Sequence, residues 1–265
     1  MDKYFRFFLV ITCICFFASC KKDSFLFERL PASQTGISFS NDLDPESPFN
    51  IFNYLYYYNG AGVAAADFNR DGLIDLYFTG NQTADRLYLN KGNFQFEDVT
   101  SLTGIDNTSG WTTGVTNVDI NNDGLMDLYV CKVSELSDPR DHNRLYLNLG
   151  VDGNGVPKFK EQAEAFGLAF QGYSTQSAFF DYDLDGDLDM YLLNHSTHPN
   201  RNYGRGSKRN SVDAKSGDRL YENENGKFRD VSAEVGLHQG IIGYGLGISV
   251  GDLNADGFPD LYIGN

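Results

Sequence analysis

The sequence predicts an all-β fold, and three observations support that prediction. The pattern Asp-x-(Asn/Asp)-x-Asp-Gly-x-x-Asp occurs four times, beginning at Asp67, Asp119, Asp181 and Asp252. Each copy runs directly into a Leu-Tyr or Met-Tyr step, and the aromatic and β-branched residues around it are typical of strands. The sequence shows no sustained apolar periodicity of 3.6 residues, although residues 161–166 could form one helical turn.

Four short strands are predicted for each repeat, joined by turns rich in Gly, Asn and Asp. The first precedes the motif, as at residues 62–66, and the second follows it, as at residues 75–78. The third has the form Arg-Leu-Tyr-x-Asn, as at residues 86–90, and the fourth lies near residues 94–99 and is followed by a Gly-Ile or Gly-Leu pair. A lone sheet of this size cannot bury both faces, so the repeats are expected to stack as blades of a β-propeller.

The two ends of the chain are expected to be half-repeats. Residues 25–37 resemble the end of the first repeat at residues 94–105, and residues 260–265 correspond to the second strand of a repeat. The chain is therefore predicted to be a partial segment, of about four blades, of a larger propeller. The alternative is a closed ring of four blades in which the two end halves pair.

The repeated motif has the ligand spacing of a calcium loop. Calcium takes six to eight oxygen ligands at about 2.3–2.6 Å. Oxygen-bearing residues at alternate positions supply them, and the glycine in sixth place allows a turn that a β-carbon would obstruct. An EF-hand is excluded because its twelfth position needs a bidentate carboxylate, whereas position 12 here is Phe78, Val130, Leu192 or Ile263. The sequence predicts up to four bound Ca²⁺ ions in hairpin loops.

The predicted ligands are the side-chain oxygens at motif positions 1, 3, 5 and 9 and the backbone carbonyl at position 7. They are Asp67, Asn69, Asp71, Leu73 and Asp75; Asp119, Asn121, Asp123, Leu125 and Asp127; Asp181, Asp183, Asp185, Asp187 and Asp189; and Asp252, Asn254, Asp256, Phe258 and Asp260. The third motif has no asparagine ligand and is expected to bind calcium most tightly. A single motif of this kind could be a metal-free turn, but four copies with the same spacing favour a metal.

Composition narrows the classes of function. The formal net charge is −15, which excludes nucleic-acid binding through phosphate neutralisation. Apart from three cysteines within the first 20 residues, the chain has Cys131 alone. No internal disulfide is therefore expected, and the calcium loops are expected to stabilise the exported domain in place of disulfides.

The first residues are interpreted as an export signal. A short basic start precedes an apolar run at residues 7–17, which is too short for the roughly 20 residues that span a bilayer. Phe17-Ala-Ser-Cys20 resembles the lipobox of bacterial lipoproteins, which implies acylation of Cys20 and anchoring to a membrane. The predicted division is a signal peptide at 1–19, a lipidated tether at 20–24 and a propeller at 25–265, in an outer-membrane lipoprotein exposed at the cell surface. The alternative is a non-lipidated signal peptide with an incidental cysteine.

The loops and their flanking strands resemble the FG-GAP/VCBS repeats of integrin α-chains and many bacterial surface proteins. Residues 59–67, the Arg-Leu-Tyr-Leu-Asn element and Leu-Asn-His-Ser at 193–196 are similar to the bacterial branch related to cartilage acidic protein, in which the propeller often precedes an ASPIC/UnbV domain. The resemblance implies a seven-bladed ring with calcium at blade hairpins, and it implies no reaction. The Gly-Ala-Pro signature is absent, so an integrin-like ligand surface is not implied.

Three further groups of residues are candidates for binding. Basic residues in an insertion form a possible loop for an anionic ligand or a solvated loop without one: Arg201, Arg205, Lys208 and Arg209. His195 and His198 could be a zinc pair, but no third ligand lies near them in sequence. Some aromatic residues could be sugar-stacking platforms, although packing within the core is favoured: Tyr54, Tyr56, Tyr57, Tyr58 and Trp111. The alternating tyrosines of the strands are expected to pack between blades: Tyr77, Tyr88, Tyr129, Tyr146 and Tyr191.

These observations favour a calcium-binding, surface-anchored module that holds a protein or glycan ligand without catalysis. Carboxylates that hold calcium cannot easily act as general acids, and the sequence shows no nucleophile paired with a base. The alternative is a calcium-dependent polysaccharide lyase or hydrolase with two free carboxylates, drawn from Glu28, Glu46, Glu97 and Glu135. A third possibility is a structural stalk for a further domain.

Overall fold

The computed structural model describes residues 26–47, 49–106, 110–134, 141–197, 211–241 and 243–265. The chain divides into two compact units, Met1–Pro31 and Ala32–Asn265. The predicted signal peptide at 1–19 and the tether at 20–24, with Cys20, lie outside the described residues. Within the described ranges, none of the helices has the length and apolar character that a membrane crossing requires.

The second unit contains three four-stranded antiparallel sheets and one two-stranded sheet among its described residues, and we name these sheets blades. Blade 1 comprises β1 (Val63–Ala66), β2 (Asp75–Phe78), β3 (Arg86–Asn90) and β4 (Phe96–Asp98); blade 2 comprises β5 (Thr112–Val118), β6 (Asp127–Lys132), β7 (Arg144–Val151) and β8 (Pro157–Glu161); blade 3 comprises β9 (Ser174–Phe180), β10 (Asp189–Asn194), β11 (Arg219–Asn223) and β12 (Phe228–Asp230); and blade 4 comprises β13 (Gly247–Gly251) and β14 (Asp260–Gly264). Strands follow one another across each sheet in chain order. The predicted all-β, propeller-like arrangement of four-stranded blades is confirmed.

The first strands of the blades lie side by side, β1 beside β5, β5 beside β9 and β9 beside β13. Hydrogen bonds join them at their starts: the Gly62 amide donates to the Thr113 carbonyl at 2.8 Å, and the Thr113 hydroxyl donates to the Ser174 carbonyl at 2.7 Å. The Thr116 hydroxyl donates to the Ser177 carbonyl at 2.9 Å further along the same strands. The blades are therefore connected through their first strands as well as through their faces.

The core lies between successive blades, because the middle blades bury both faces. In β6, Leu128 and Val130 pack against blade 1, while Tyr129 and Cys131 pack with residues of blade 3. This alternation follows from the two-residue period of a strand, and it explains why all six residues of β6 are buried. Four of the strand tyrosines are buried in the clusters that join neighbouring blades, as the packing interpretation predicts: Tyr77, Tyr129, Tyr146 and Tyr191. Tyr88 is also buried, but its ring contacts Phe78 of its own blade.

Among the described residues, three short helical turns end in left-handed glycines that contact a neighbouring blade. They are α1 (Ala32–Thr35), α2 (Thr100–Thr103) and α3 (Ala163–Phe166), followed by Gly36, Gly104 and Gly167 with φ of +76°, +84° and +82°. A β-carbon on Gly104 would lie 2.8 Å from the Phe159 carbonyl oxygen, and one on Gly167 would lie 2.5 Å from that of Phe228. A β-carbon on Gly36 would lie closer still to the Phe96 carbonyl oxygen. Each glycine thus packs on the last strand of a blade.

The turn predicted at residues 161–166 is confirmed as α3, whereas α1 and α2 were not predicted. The half-repeat expected at residues 25–37 lacks its strand in the part that the structure describes, since residues 26–31 form no helix or strand. Apolar spacing alone does not make a strand, because a strand needs the edge of a neighbour for its hydrogen bonds. The similarity between residues 35–37 and 103–105 instead reflects the shared turn and its glycine.

Candidate metal loops and a central cavity

All four aspartate motifs form the loop between the first two strands of a blade. In the first motif, Asp67 accepts hydrogen bonds from the backbone amides of Asp71 at 3.1 Å and Gly72 at 2.8 Å. Asn69 accepts from the Asp71 amide at 3.1 Å, and Asp71 accepts from the Leu73 amide at 2.9 Å. The same bonds recur in the other three motifs. The common spacing therefore produces one loop conformation.

In the first three motifs the carboxylate at position 9 is buried and joins the loop to the third strand of its blade. Asp75 accepts from the Phe68 amide at 3.0 Å through Oδ2 and from the Asn90 amide at 2.8 Å through Oδ1. Asp127 and Asp189 make the equivalent bonds, in each case to the final asparagine of the Arg-Leu-Tyr-x-Asn strand. Burial raises the pKa of Asp75, Asp127 and Asp189 to about 6. These loop-to-strand bonds were not predicted, although the repeated asparagine was a signal for them.

The glycine at position 6 is required for the reason expected, because its backbone is left-handed in all four loops. Its φ ranges from +81° at Gly124 to +100° at Gly186, a region that L-residues rarely adopt. A β-carbon there would meet no neighbouring atom within 4 Å, so the obstruction comes from the left-handed backbone conformation itself, which a β-carbon disfavours. Position 4 is also left-handed, at Arg70, Asn122, Leu184 and Ala255 with φ of +57° to +65°. Because position 4 carries no common residue type, the sequence did not reveal it.

The third loop brings three carboxylates to one point. Oxygen atoms of Asp181, Asp183 and Asp189 lie within 4.8 Å of one another. Two oxygens on opposite sides of a Ca²⁺ ion are separated by at most about 5 Å, so this cluster fits such an ion. Asp187 Oδ1 is buried without a hydrogen-bond partner among the described residues, and burial, with the charges of Asp185 and Asp183, raises the pKa of Asp187.

The third loop also differs from the others at position 3. In the first, second and fourth loops the asparagine amide donates to the position-5 aspartate at 2.9–3.0 Å. Asp183 has no amide to donate to Asp185, so the two carboxylates repel each other. The negative charge of the third loop is therefore the least compensated of the four. A bound divalent cation would stabilise this loop more than the others.

A cavity of about 470 Å³ lies where the first strands of the four blades begin. It is lined by Tyr54, Tyr56, Asn59, Gly60, Ala61, Gly62, Thr113, Gly114, Thr175, Gln176, His195, Leu246, Gly247 and Ile248. The aspartate loops follow the opposite ends of the same strands. Cavity and loops are therefore separated by the length of a strand, about 3.3 Å per residue.

His195 is fixed at the cavity by three neighbours. Its Nε2 lies 3.0 Å from the Tyr54 hydroxyl and its Nδ1 lies 2.9 Å from the Thr175 hydroxyl. The Tyr56 ring stacks on the imidazole with 3.9 Å between centroids. Burial lowers the pKa of His195 to about 3, so the ring is neutral. Both nitrogens are engaged within the protein, which disfavours the zinc pair, and His198 lies outside the described residues.

The candidate aromatic platforms belong mostly to the core. Tyr54, Tyr57 and Trp111 are buried in one cluster with Phe49 packed against it. Trp111 contacts the Phe49 ring edge-on at 5.1 Å and the Tyr54 ring at 5.3 Å. Tyr58 is 71% exposed. Packing is therefore the role of most of this set, while Tyr54 and Tyr56 also line the cavity.

The remaining candidates gain little support from the structure. The basic residues Arg201, Arg205, Lys208 and Arg209 lie outside the described residues, as does Glu135. Glu97 pairs with Lys91 at 3.0 Å, while Glu28 and Glu46 are exposed. Among the described residues that line the cavity, none is Asp, Glu, Lys or Arg.

The residue before each Arg-Leu-Tyr element makes a repeated polar contact, with a strand tyrosine and a backbone amide, that was not predicted from the sequence. Asp85 accepts from the Tyr77 hydroxyl at 2.8 Å and from the Gly80 amide at 2.9 Å. Asp218 accepts in the same way from Tyr191 and from the Asn194 amide. Blade 2 has Asn143 at this position, which accepts from the Lys132 amide and donates to the Tyr129 hydroxyl. The recurrence of Asp or Asn before Arg-Leu-Tyr was the available signal.

Comparison with known proteins agrees with the repeat geometry. A family model described as an FG-GAP-like repeat matches residues 67–130 and 210–263. The chain is similar to cartilage acidic protein 1 of Mus musculus and of Homo sapiens, each 31% identical over 137 residues that cover 51% of this chain. It is also similar to cartilage acidic protein 1 of Xenopus tropicalis, 27% identical over 143 residues. The matches span 20% of the length of these relatives.

Proposed function

We propose, given that the chain is an FG-GAP repeat protein, that it is a calcium-stabilised binding module that holds a protein or glycan ligand and catalyses no reaction. The observation that carries the calcium part is the convergence of Asp181, Asp183 and Asp189 within 4.8 Å. The shared conformation of the other three loops extends the proposal to them. Bound calcium would neutralise the acidic loops and cross-link the first two strands of each blade.

The residues that would hold each ion are the side chains at motif positions 1, 3, 5 and 9 and the carbonyl at position 7. Positions 1, 3 and 5 are already oriented by bonds from backbone amides, so little ordering remains when an ion arrives. Extracellular calcium modules typically have Kd values near 10⁻⁴–10⁻³ M. At millimolar calcium, mass action then adds about 1 kcal/mol of stability for each occupied loop. The role of calcium is therefore structural.

Export and membrane anchoring are part of the same proposal. An apolar run at residues 7–17 ahead of Cys20 supports a lipoprotein signal, and lipid on Cys20 would place the module at the outer membrane, exposed at the cell surface. Calcium is abundant outside cells, which suits four weak sites. The free thiol of Cys131 is buried, and burial raises its pKa, so this thiol is protected in an oxidising compartment.

Calorimetry with and without calcium tests the metal. We expect EDTA to lower the Tm and added Ca²⁺ to restore it. Asp183→Asn should weaken the tightest site, while Glu164→Gln, which removes an exposed carboxylate of α3 that belongs to none of the four motifs, should leave the calcium titration unchanged. An unmoved Tm in EDTA would remove calcium from the proposal.

Turnover assays test the absence of catalysis. The alternative, a calcium-dependent polysaccharide lyase or hydrolase, predicts product from acidic polysaccharides that disappears with chelator. Retention of a polysaccharide by the immobilised chain without product would support the binding module. Calcium-dependent product formation would overturn it.

A further inference from the structure

We infer that the cavity at the starts of β1, β5, β9 and β13 binds an uncharged saccharide. This inference rests on the binding function proposed above and deepens it by naming the site and the class of ligand. It depends on the charge, the polar groups and the rigidity of the cavity lining.

The cavity lining is uncharged in a strongly acidic chain. The formal net charge is −15, yet no acidic or basic side chain occurs among the described lining residues, and the buried His195 ring is neutral. A charged ligand would lose its hydration there without an opposite charge to compensate, which is strongly unfavourable. The lining therefore selects against ions, including the acidic sugars of anionic polysaccharides.

Hydrogen-bonding groups are nevertheless dense along the lining. Asn59 and Gln176 carry amides, and Thr113 and Thr175 carry hydroxyls. The two amides both donate and accept. The Thr113 hydroxyl already donates to the Ser174 carbonyl and the Thr175 hydroxyl is bonded to His195 Nδ1, so these two groups offer a ligand lone pairs that accept; together the four side chains match the hydroxyl groups around a sugar ring. A β-carbon on Gly114 would overlap the Gln176 side-chain oxygen. Glycine at position 114 thus allows the Gln176 amide to lie across the start of β5.

Aromatic and apolar groups complete the cavity. Tyr54 and Tyr56 line one part, and Leu246 and Ile248 line another. A sugar ring presents C–H groups on its faces, and these pack well against aromatic rings. The cavity of about 470 Å³ falls within the range of about 300–1,000 Å³ usual for small-ligand sites.

The polar centre of the cavity is rigid before any ligand binds. His195 is held by Tyr54, by Thr175 and by stacking on Tyr56, and Tyr54 is itself fixed within the aromatic cluster. Side chains that are already ordered lose little entropy on binding. A small rigid ligand such as a sugar ring can then bind with useful affinity.

The test uses the full chain in calcium on an array of neutral and acidic saccharides, followed by calorimetry with the free form of the strongest neutral binder. We expect neutral saccharides to bind. Gln176→Glu should weaken the Kd at least about tenfold, because it replaces an amide donor with a charge that ligand binding must desolvate. The matched control is Gln95→Glu, which adds the same charge on an exposed residue of blade 1 and should change the Kd less than about twofold.

A second variant guards against misfolding. Asn59→Asp changes an exposed lining residue and should weaken binding in the same direction, with an unchanged Tm. Neutral binding that survives both variants would place the glycan site elsewhere and overturn the inference, while leaving the binding function intact. Preference for acidic saccharides, or no saccharide binding by a chain whose Tm still responds to calcium, would also overturn it. The calcium part of the proposed function is judged by that Tm response alone.

Discussion

Asp75 Oδ1 accepts a hydrogen bond of 2.8 Å from the backbone amide of Asn90, which joins the aspartate loop of blade 1 to the end of its third strand. The other oxygen of Asp75 accepts from the Phe68 amide within the loop. The last aspartate of the motif is therefore part of the fold as well as a candidate ligand. The same two bonds occur at Asp127 and Asp189.

Replacing this aspartate should separate its two roles. Asp75→Asn leaves one buried backbone amide facing another donor, so we expect a loss of about 1–3 kcal/mol in the free energy of unfolding even in EDTA. Asp71→Asn, at exposed position 5, should cost less than about 0.5 kcal/mol in EDTA but should abolish calcium binding to the first loop. Urea unfolding with EDTA and with calcium measures both. Equal losses for the two variants in EDTA would contradict the strand-bridging role.

The buried carboxyl of Asp85 should make stability depend on pH. Burial raises the pKa of Asp85 to about 6, from 3.8 for the free side chain. Between these values the folded state binds more protons than the unfolded state, so the contribution of Asp85 to the free energy of unfolding falls as pH rises from about 4 to about 6. The protein should be less stable above pH 6 by an amount on the order of 1–3 kcal/mol from this group.

Asp85→Asn removes that dependence. Blade 2 already has Asn143 at the equivalent position, bonded to Tyr129 and to the Lys132 amide, so the substitution is expected to fold. Unfolding by urea at pH 4.5 and pH 7 in saturating calcium should show that the variant gains stability relative to the parent at pH 7. A gain that is the same at both pH values would show that Asp85 does not titrate in this range.

Two glycines that follow the last strand of a blade, Gly167 after blade 2 and Gly236 after blade 3, are called the closing glycines here. They allow the cost of a left-handed φ to be separated from the cost of contact with a neighbouring blade. Gly167→Ala forces a β-carbon to within 2.5 Å of the Phe228 carbonyl oxygen at φ of +82°. Gly236→Ala has a similar φ of +73° with no atom within 4 Å. We expect about 1 kcal/mol of destabilisation at Gly236 from backbone conformation alone and at least about 2 kcal/mol at Gly167. Thermal unfolding of both variants measures the two losses of stability. Equal losses would show that the contact between blades at Gly167 is unimportant.

Position 4 of the third loop offers a stabilising substitution. Leu184 has φ of +65° and is 50% exposed, whereas the second loop has Asn122 in the same conformation. Asparagine tolerates this region better than leucine, so Leu184→Asn should raise the free energy of unfolding by up to about 1 kcal/mol. The control Leu149→Asn, on an exposed position of β7, should be neutral or destabilising. A loss of stability at Leu184 would show that its side chain has a packing role.

The local sequence pattern alone determined most of the secondary structure of this protein. The motif, the four strands of each repeat and the turn at residues 161–166 follow from spacing over fewer than a dozen residues, where hydrogen bonds within a hairpin set the conformation. The tyrosines of the strands could be assigned to packing because alternation along a strand sends neighbours to opposite faces.

Only the tertiary structure decided which residues that are far apart in sequence come together. Tyr54 and His195 are 141 residues apart, and they meet because the first strands of four blades begin around one cavity. The closing glycines were recognisable as a repeat, but the contact of Gly167 with a neighbouring blade was not. The half-repeat expected at residues 25–37 has no strand in its described part, because similarity of sequence does not supply a neighbouring strand edge to pair with. Sequence spacing fixes what the backbone does within one turn or hairpin, whereas packing between blades decides which side chains share a site.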